Sequence, residues 1–337
     1  MTKYKPLIII LFIFFIIWFI IIKVSNYFSI KNFEKKLSII LPENENNFNF
    51  TKTIIKISCI FDPTANEQWI RNQINFMANN LKQRIGNEAN PDLIIEIFND
   101  YFFNIEKLAF DENFNDKKNL SYSQLIKFNS IQNALITKKS ICLTISLIYL
   151  MLGDILNLPL YGVLIPGHIY VRYKENGKSS INIETTLKGY EYYGYMNMFG
   201  LDIYKDKNSY GKELNKFQTI GAYLNNLGSF LLSVGELQKA EILFKKSIKY
   251  LPLISEPYMN LGILYEQINK PEAALTNYLK SIEINPDNDF VLTQIGIIFY
   301  NQNRFIKAQE FLEKAIKINK NNIKAQEFLK NIKGENK

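Results

Sequence analysis

Residues Thr137–Tyr173 read TKKSICLTISLIYLMLGDILNLPLYGVLIPGHIYVRY and hold Cys142, one of two cysteines in the chain, and His168, its only histidine. The apolar spacing predicts a helix over 142–156 that begins at Cys142 and stops before Asn157-Leu158-Pro159. Alternating, β-branched-rich runs follow: LPLYGVLI, HIYVRYKE and SSINIETT. Asn176-Gly177 between the last two is a hairpin signal. One helix-strand unit therefore has its cysteine at the helix start and its histidine at a strand start.

Strand pairing brings in a third residue. With Glu175-Asn176-Gly177 as a three-residue loop and Gly177 left-handed, Lys174 pairs with Lys178 and His168 faces Glu184. Cross-strand neighbours lie about 4.5–5.5 Å apart at Cβ, near enough for a carboxylate to fix the tautomer and orientation of an imidazole. Asn182 shares that face and is the alternative orienting residue. A two-residue loop would instead turn Glu184 to the opposite face. At the first turn of its helix, Cys142 would have its thiolate favoured by the macrodipole, and unpaired N–H groups there could hold an oxyanion. Cysteine, histidine and carboxylate so arranged are the residue types of nucleophilic catalysis on an acyl group. Taken singly, the cysteine reads as a core residue and the histidine as a loop residue.

Working outward, helical periodicity also fits 66–84, 91–106 and 121–135. A chain of 337 residues suits two soluble domains. The formal charge of +8 is carried mostly by lysine, since only Arg71, Arg84, Arg172 and Arg304 are arginine. Base and phosphate recognition favours the guanidinium, and no basic stripe with interleaved aromatics occurs, so no nucleic-acid partner is expected. Two cysteines and one histidine are one ligand short of a closed zinc site. No metal or other cofactor is expected, and Cys59 reads as a small buried hydrophobe.

At the N-terminus, Leu7–Ile22 is an unbroken apolar run between Lys5 and Lys23. Counted over 4–24 with the lysines snorkelling, it matches the roughly 20 residues that span a bilayer. No small-residue cleavage site follows it, which favours a retained single-pass anchor over a cleaved signal peptide. Lysines on both sides leave the charge rule balanced. Long C-terminal domains translocate largely regardless of charge, so the bulk of the chain is expected outside the cytoplasm. Residues 25–55, including the polar LPENENNFNFTK, are read as a linker.

From Gly221 the chain repeats with a period of 34. Leu227-Gly228, Leu261-Gly262 and Ile295-Gly296 recur in step with Ala240, Ala274 and Ala308, and with Phe244, Tyr278 and Leu312. Small residues suit the close crossing of paired helices, and large ones fill the adjoining holes. These residues resemble the tetratricopeptide repeat. The units are 221–254, 255–288 and 289–322, with a capping helix at 323–333 and a tail to 337; Lys320 stands where proline would be expected. The resemblance implies an all-α superhelix whose groove binds a protein or peptide. Groove candidates are Asn225, Ser229, Met259, Ile263, Glu266, Thr293, Ile297 and Tyr300, with no lysine cluster to clamp an acidic C-terminal peptide.

Residues 56–200 are read as one domain, followed by a connector at 201–220, and from roughly residue 60 to 190 the domain is similar to the bacterial transglutaminase-like superfamily in its SirB-like branch. The most specific parts are LNLPLYGV, PGH and the later INIETT. The resemblance implies a papain-type α+β core preceding the repeats, with Cys142 as nucleophile, His168 as base and Glu184 as orienter. Ser140 stands two before the cysteine, where the superfamily often has glycine, and Gln132 and Asn133 are the side-chain candidates for an oxyanion donor. Two readings follow. One is a membrane-anchored cysteine acyl-transfer enzyme, hydrolysing a peptide or isopeptide bond or passing an acyl group to an amine. The other is an inactive fold that serves with the repeats as an interaction scaffold at a membrane.

Overall fold

The computed structural model of the chain describes residues 25, 27–46, 48–114, 121–175, 177, 179–191 and 210–335. Two units are distinguished, 1–41 and 42–337. In the first, 27–40 form a helix, α1. The apolar run at 7–22 and the anchor read over 4–24 lie outside the described residues. Among the described residues no helix is long and apolar enough to cross a membrane. The segment read as a linker is largely helical, since α1 fills much of it and α2 (Phe50–Phe61) begins inside it.

The second unit opens with α2, capped by the Asn49 side chain accepting from Lys52 N–H, and α3 (Glu67–Ile85), capped likewise by Asn66. Helix α4 (Pro91–Asn99) continues as one wider π turn over Asp100–Ile105. This turn presents Phe102 and Phe103 with Phe98 to the ring of Tyr149. Strand β1 (Ala109–Phe110) pairs in parallel with β2 (Lys139–Ser140). Between them the helix expected over 121–135 is broken into α5 (Tyr122–Asn129) and α6 (Ile131–Thr137). The break is at Ser130, whose extended backbone lets its hydroxyl donate to Asp62 Oδ2 at 2.6 Å and cap α6.

Helix α7 (Cys142–Ile155) is buried along almost its whole length, as its near-continuous apolar sequence requires. It packs against α2, α3 and a four-stranded antiparallel sheet in the order β5-β4-β3-β6. These are β3 (Leu160–Ile165), β4 (His168–Tyr173), β5 (Ile181–Ile183) and β6 (Glu213–Leu214). Gly153 admits Leu160 so closely that a Cβ there would collide with it, which sets the helix-to-sheet contact. This domain is α+β, as expected.

Seven helices follow. They are α8 (Lys216–Ser233), α9 (Leu237–Tyr250), α10 (Glu256–Gln267), α11 (Pro271–Ile284), α12 (Asp289–Asn301), α13 (Phe305–Ile318) and α14 (Ile323–Glu335). The first six pair as α8/α9, α10/α11 and α12/α13. A Cβ on Gly228, Gly262 or Gly296 would lie under 3.0 Å from Phe244, Tyr278 or Leu312 respectively, so each repeat crosses at its glycine. Gly235, Asn269 and Asn303 take positive φ at the turn inside each pair, again spaced by 34.

The segment at 210–214 and the first repeat helix are bonded to the α+β domain. Arg172 on β4, buried, donates to Asn182 Oδ1 (2.7 Å), Tyr170 OH (2.8 Å), Gly211 O (2.9 Å) and Glu213 Oε1 (2.7 Å). Tyr223 and Asn226 on α8 bond to Asn129 at 3.2 and 2.7 Å. An apolar cluster of Tyr210, Leu214, Ala222, Leu251 and Ile254 takes in Leu164 of β3.

Candidate active site

Cys142 is the first residue of α7. Its N-cap is Ile141, whose apolar side chain cannot accept a hydrogen bond, so no side chain caps the helix. The first-turn N–H groups beside the thiol are thus spared for another acceptor. The approach is held from below: buried Ser140 donates its hydroxyl to Phe128 O at 2.6 Å, and Thr144 donates to the same oxygen at 3.1 Å. Ser140 stands where glycine was expected because its side chain is spent on this anchor. Cys142 itself is partly exposed.

His168 opens β4 after a tight Pro166-Gly167 turn, with Gly167 at φ +71°. Ile165 and His168 are paired in the β3–β4 ladder. The imidazole Nε2 is 2.7 Å from Glu184 Oε2, and Cys142 lies beside it in the wall of the same cavity. Burial would push its pKa down; the hydrogen bonds with Cys142 and Glu184, and their negative charge, outweigh this and raise it to about 10. Cysteine, histidine and carboxylate, 26 and 16 residues apart in sequence, meet at one point.

The route to that meeting differs from the expected hairpin. The β4–β5 register pairs Val171 with Ile183 and Arg172 with Asn182, so the connection spans 174–180 rather than three residues. Gly177 does take positive φ, at +79°. Glu184 is therefore two residues off the rung opposite His168, on the same face, and reaches it diagonally. It can do so because the chain leaves β5 there: Glu184 caps the 3₁₀ turn Thr185–Leu187, its Oε1 accepting from Thr186 N–H (2.8 Å) and Thr186 Oγ1 (2.6 Å). Its Oε2 remains for His168. Thr185 bonds Ser146 at 2.9 Å, one turn along α7 from Cys142, so the helix that carries the cysteine also locates the carboxylate.

Asn182, the alternative orienter, is engaged with Arg172 and with Glu191 (3.2 Å) instead of His168. Gln132 accepts from Asn66 N–H at 2.7 Å, and neither it nor Asn133 lines the cleft. Cys59 is half-buried rather than fully enclosed. Burial, then Glu67 and Asp62, push its thiol up to about 11.

Cys142 and His168 open into a cavity of about 400 Å³ whose far wall is the repeat array. Asn225, Ser229 and Met259, three of the expected groove residues, line it together with Tyr210, Glu256 and Asn260. Ile263, Glu266, Thr293, Ile297 and Tyr300 do not. Tyr210 and Glu256 carried no local signal; only the docking of the domains brings them to the cysteine.

Residues 68–192 match the family model described as the transglutaminase-like superfamily, and 255–288 and 291–322 each match a tetratricopeptide-repeat model. Curated relatives include anaphase-promoting complex subunit CDC16 of Saccharomyces cerevisiae, 25% identical over 84 residues. Subunit 3 of the same complex in Schizosaccharomyces pombe is 28% identical over 83. Each match covers 25% of this chain but only 10% and 12% of the relatives, about a tenth of their length. Similar solved structures include MamA, at 23% identity and TM-score 0.33 over 34% of this chain and 68% of that one. Another is the first repeat domain of Spaghetti (RPAP3) bound to an HSP90 peptide, at 16% identity and TM-score 0.33 over 34% and 91%. The chain thus carries a transglutaminase-like domain followed by tetratricopeptide repeats.

Proposed function

We propose that the chain is a cysteine acyl-transfer enzyme of the transglutaminase-like, SirB-like kind, with Cys142 as nucleophile, His168 as acid-base and Glu184 as the group that holds the imidazolium. The observation that carries this is the single imidazole held by a buried carboxylate beside the Cys142 thiol in one cavity wall. In the first step the Cys142 sulfur adds to a carbonyl carbon. The oxygen takes up negative charge against the first-turn N–H groups of α7, and His168 gives its proton to the departing amine as the C–N bond breaks. The thioester is then attacked by water or a second amine, whose proton His168 takes up; the C–S bond breaks and the thiolate returns.

A polypeptide substrate fits the cavity wall, which is built of repeat helices; a related repeat domain is described as binding an HSP90 peptide. The apolar run at 7–22 is the basis for placing the enzyme on a membrane through a single N-terminal helix, with its soluble part outside the cytoplasm.

The test is exposure to p-nitrophenyl acetate at neutral pH. Acetylation of Cys142, found by peptide mass spectrometry and lost in His168→Ala, supports the enzyme. If Cys142 acquires no acetyl group, or acquires it equally without His168, the second reading holds: a non-catalytic domain that recruits protein partners with the repeats.

A further inference from the structure

The cavity in front of Cys142 has an uneven electrostatic lining. The chain carries a formal charge of +8, yet among the described residues no lysine or arginine lines this cavity, and one carboxylate, that of Glu256, does. Glu256 begins α10, and its carboxyl receives a bond from Tyr210 and one from its own N–H, while Oε2 is buried with no hydrogen-bond partner. An acid in a first helical turn is ordinarily explained by the macrodipole. Here that explanation leaves one oxygen desolvated and unpaired, a cost of the kind native structures retain when a ligand completes the bond. Burial pushes the carboxyl up to about 6, partly offset by Tyr210, so the group is still mostly charged at neutral pH.

The amides beside it are arranged to meet a main chain. Asn260 Nδ2 donates to Asn225 Oδ1 and to Ser229 Oγ, each at 3.0 Å. Asn260 Oδ1 and Asn225 Nδ2 are left over, one acceptor and one donor, which is the complement of a peptide unit.

We propose that Glu256 is the cation-recognising residue of a substrate subsite shared by the two domains, receiving a lysine-type ammonium of an extended polypeptide whose main chain is met by Asn225 and Asn260. This rests on Cys142 being the reacting group, and it names the substrate class for that centre. It makes the repeat array a wall of the active site rather than a separate recruiting arm.

The experiment measures protection of Cys142 from iodoacetamide by the peptides acetyl-Ala-Ala-X-Ala-Ala-amide with X lysine, norleucine or glutamate. In the unmodified protein the lysine peptide should half-protect at about a tenfold lower concentration than the norleucine peptide, the effect of one charge-assisted hydrogen bond. The glutamate peptide should protect least. Glu256→Gln should bring lysine and norleucine to the same concentration, each variant's protection being read against its own iodoacetamide rate without peptide. Equal protection by lysine and norleucine in the unmodified protein, or an advantage of lysine that persists in Glu256→Gln, overturns the subsite. An acyl-transfer failure of Cys142 is seen separately, as an iodoacetamide rate that His168→Ala does not alter.

Discussion

His168 Nε2 is 2.7 Å from Glu184 Oε2, although the two residues are not partners in the strand ladder. The carboxylate is held from behind by Thr186, so the imidazole meets a fixed acceptor rather than a flexible one. The ring fixed in this way stands beside Cys142 in the wall of one cavity.

Because His168 is the only histidine, its titration can be followed without assignment by proton NMR. Its ring should hold a proton far above the ordinary 6.5, up to about 10. Replacing Cys142 by alanine, or Glu184 by glutamine, should lower that midpoint by removing an acceptor. A raised folded-state value stabilises the fold fully below pH 6.5, and this contribution is lost as pH climbs towards about 10. Denaturant midpoints of the unmodified protein should therefore fall over that window, and those of His168→Gln should fall less.

The two cysteines should part in reactivity. With its thiol pushed up to about 11, Cys59 has roughly one thiolate in a thousand molecules at pH 8. Isotope-coded iodoacetamide at pH 7–8, read by peptide mass spectrometry, should label Cys142 well before Cys59. Labelling of Cys142 should slow at least about tenfold in His168→Ala. Equal labelling of both cysteines would contradict the geometry.

Arg172 is the brace of the sheet. Arg172→Met would leave Glu213, Asn182 and Tyr170 without their shared donor and should cost about 3–5 kcal/mol in urea unfolding. Burial alone would raise the Glu213 carboxyl; Arg172 and Lys174 outweigh it and hold it below the usual 4.5. A lowered folded-state value contributes stability above that pH and loses it as the pH falls further. The unmodified protein should thus lose stability in acid below pH 4.5 more steeply than Arg172→Met does.

In the repeats, Gly262→Ala places a Cβ against the Tyr278 ring. Overpacking at such a site should cost about 1–3 kcal/mol and lower the melting temperature by several degrees. Gly334, where nothing lies within 4 Å of an added Cβ, should accept alanine without loss. Equal effects at the two sites would refute the crossing described.

The sequence by itself determined the elements that rest on local periods. The recurrence of Gly228, Gly262 and Gly296 with Phe244, Tyr278 and Leu312 marked the helix crossings, because each repeat solves the same packing problem with the same offsets. The switch from helical to alternating spacing placed Cys142 at a helix start and His168 at a strand start. Tertiary structure decided what depends on partners distant in the chain. Asp62 broke the helix at Ser130, and a seven-residue connection moved Glu184 off the rung assigned to it. Docking of the repeats then brought Glu256 and Tyr210 into the Cys142 cavity. Hydrogen bonds and packing between residues tens of positions apart leave no period in the sequence, since they answer to loop geometry and the fit of separately formed surfaces.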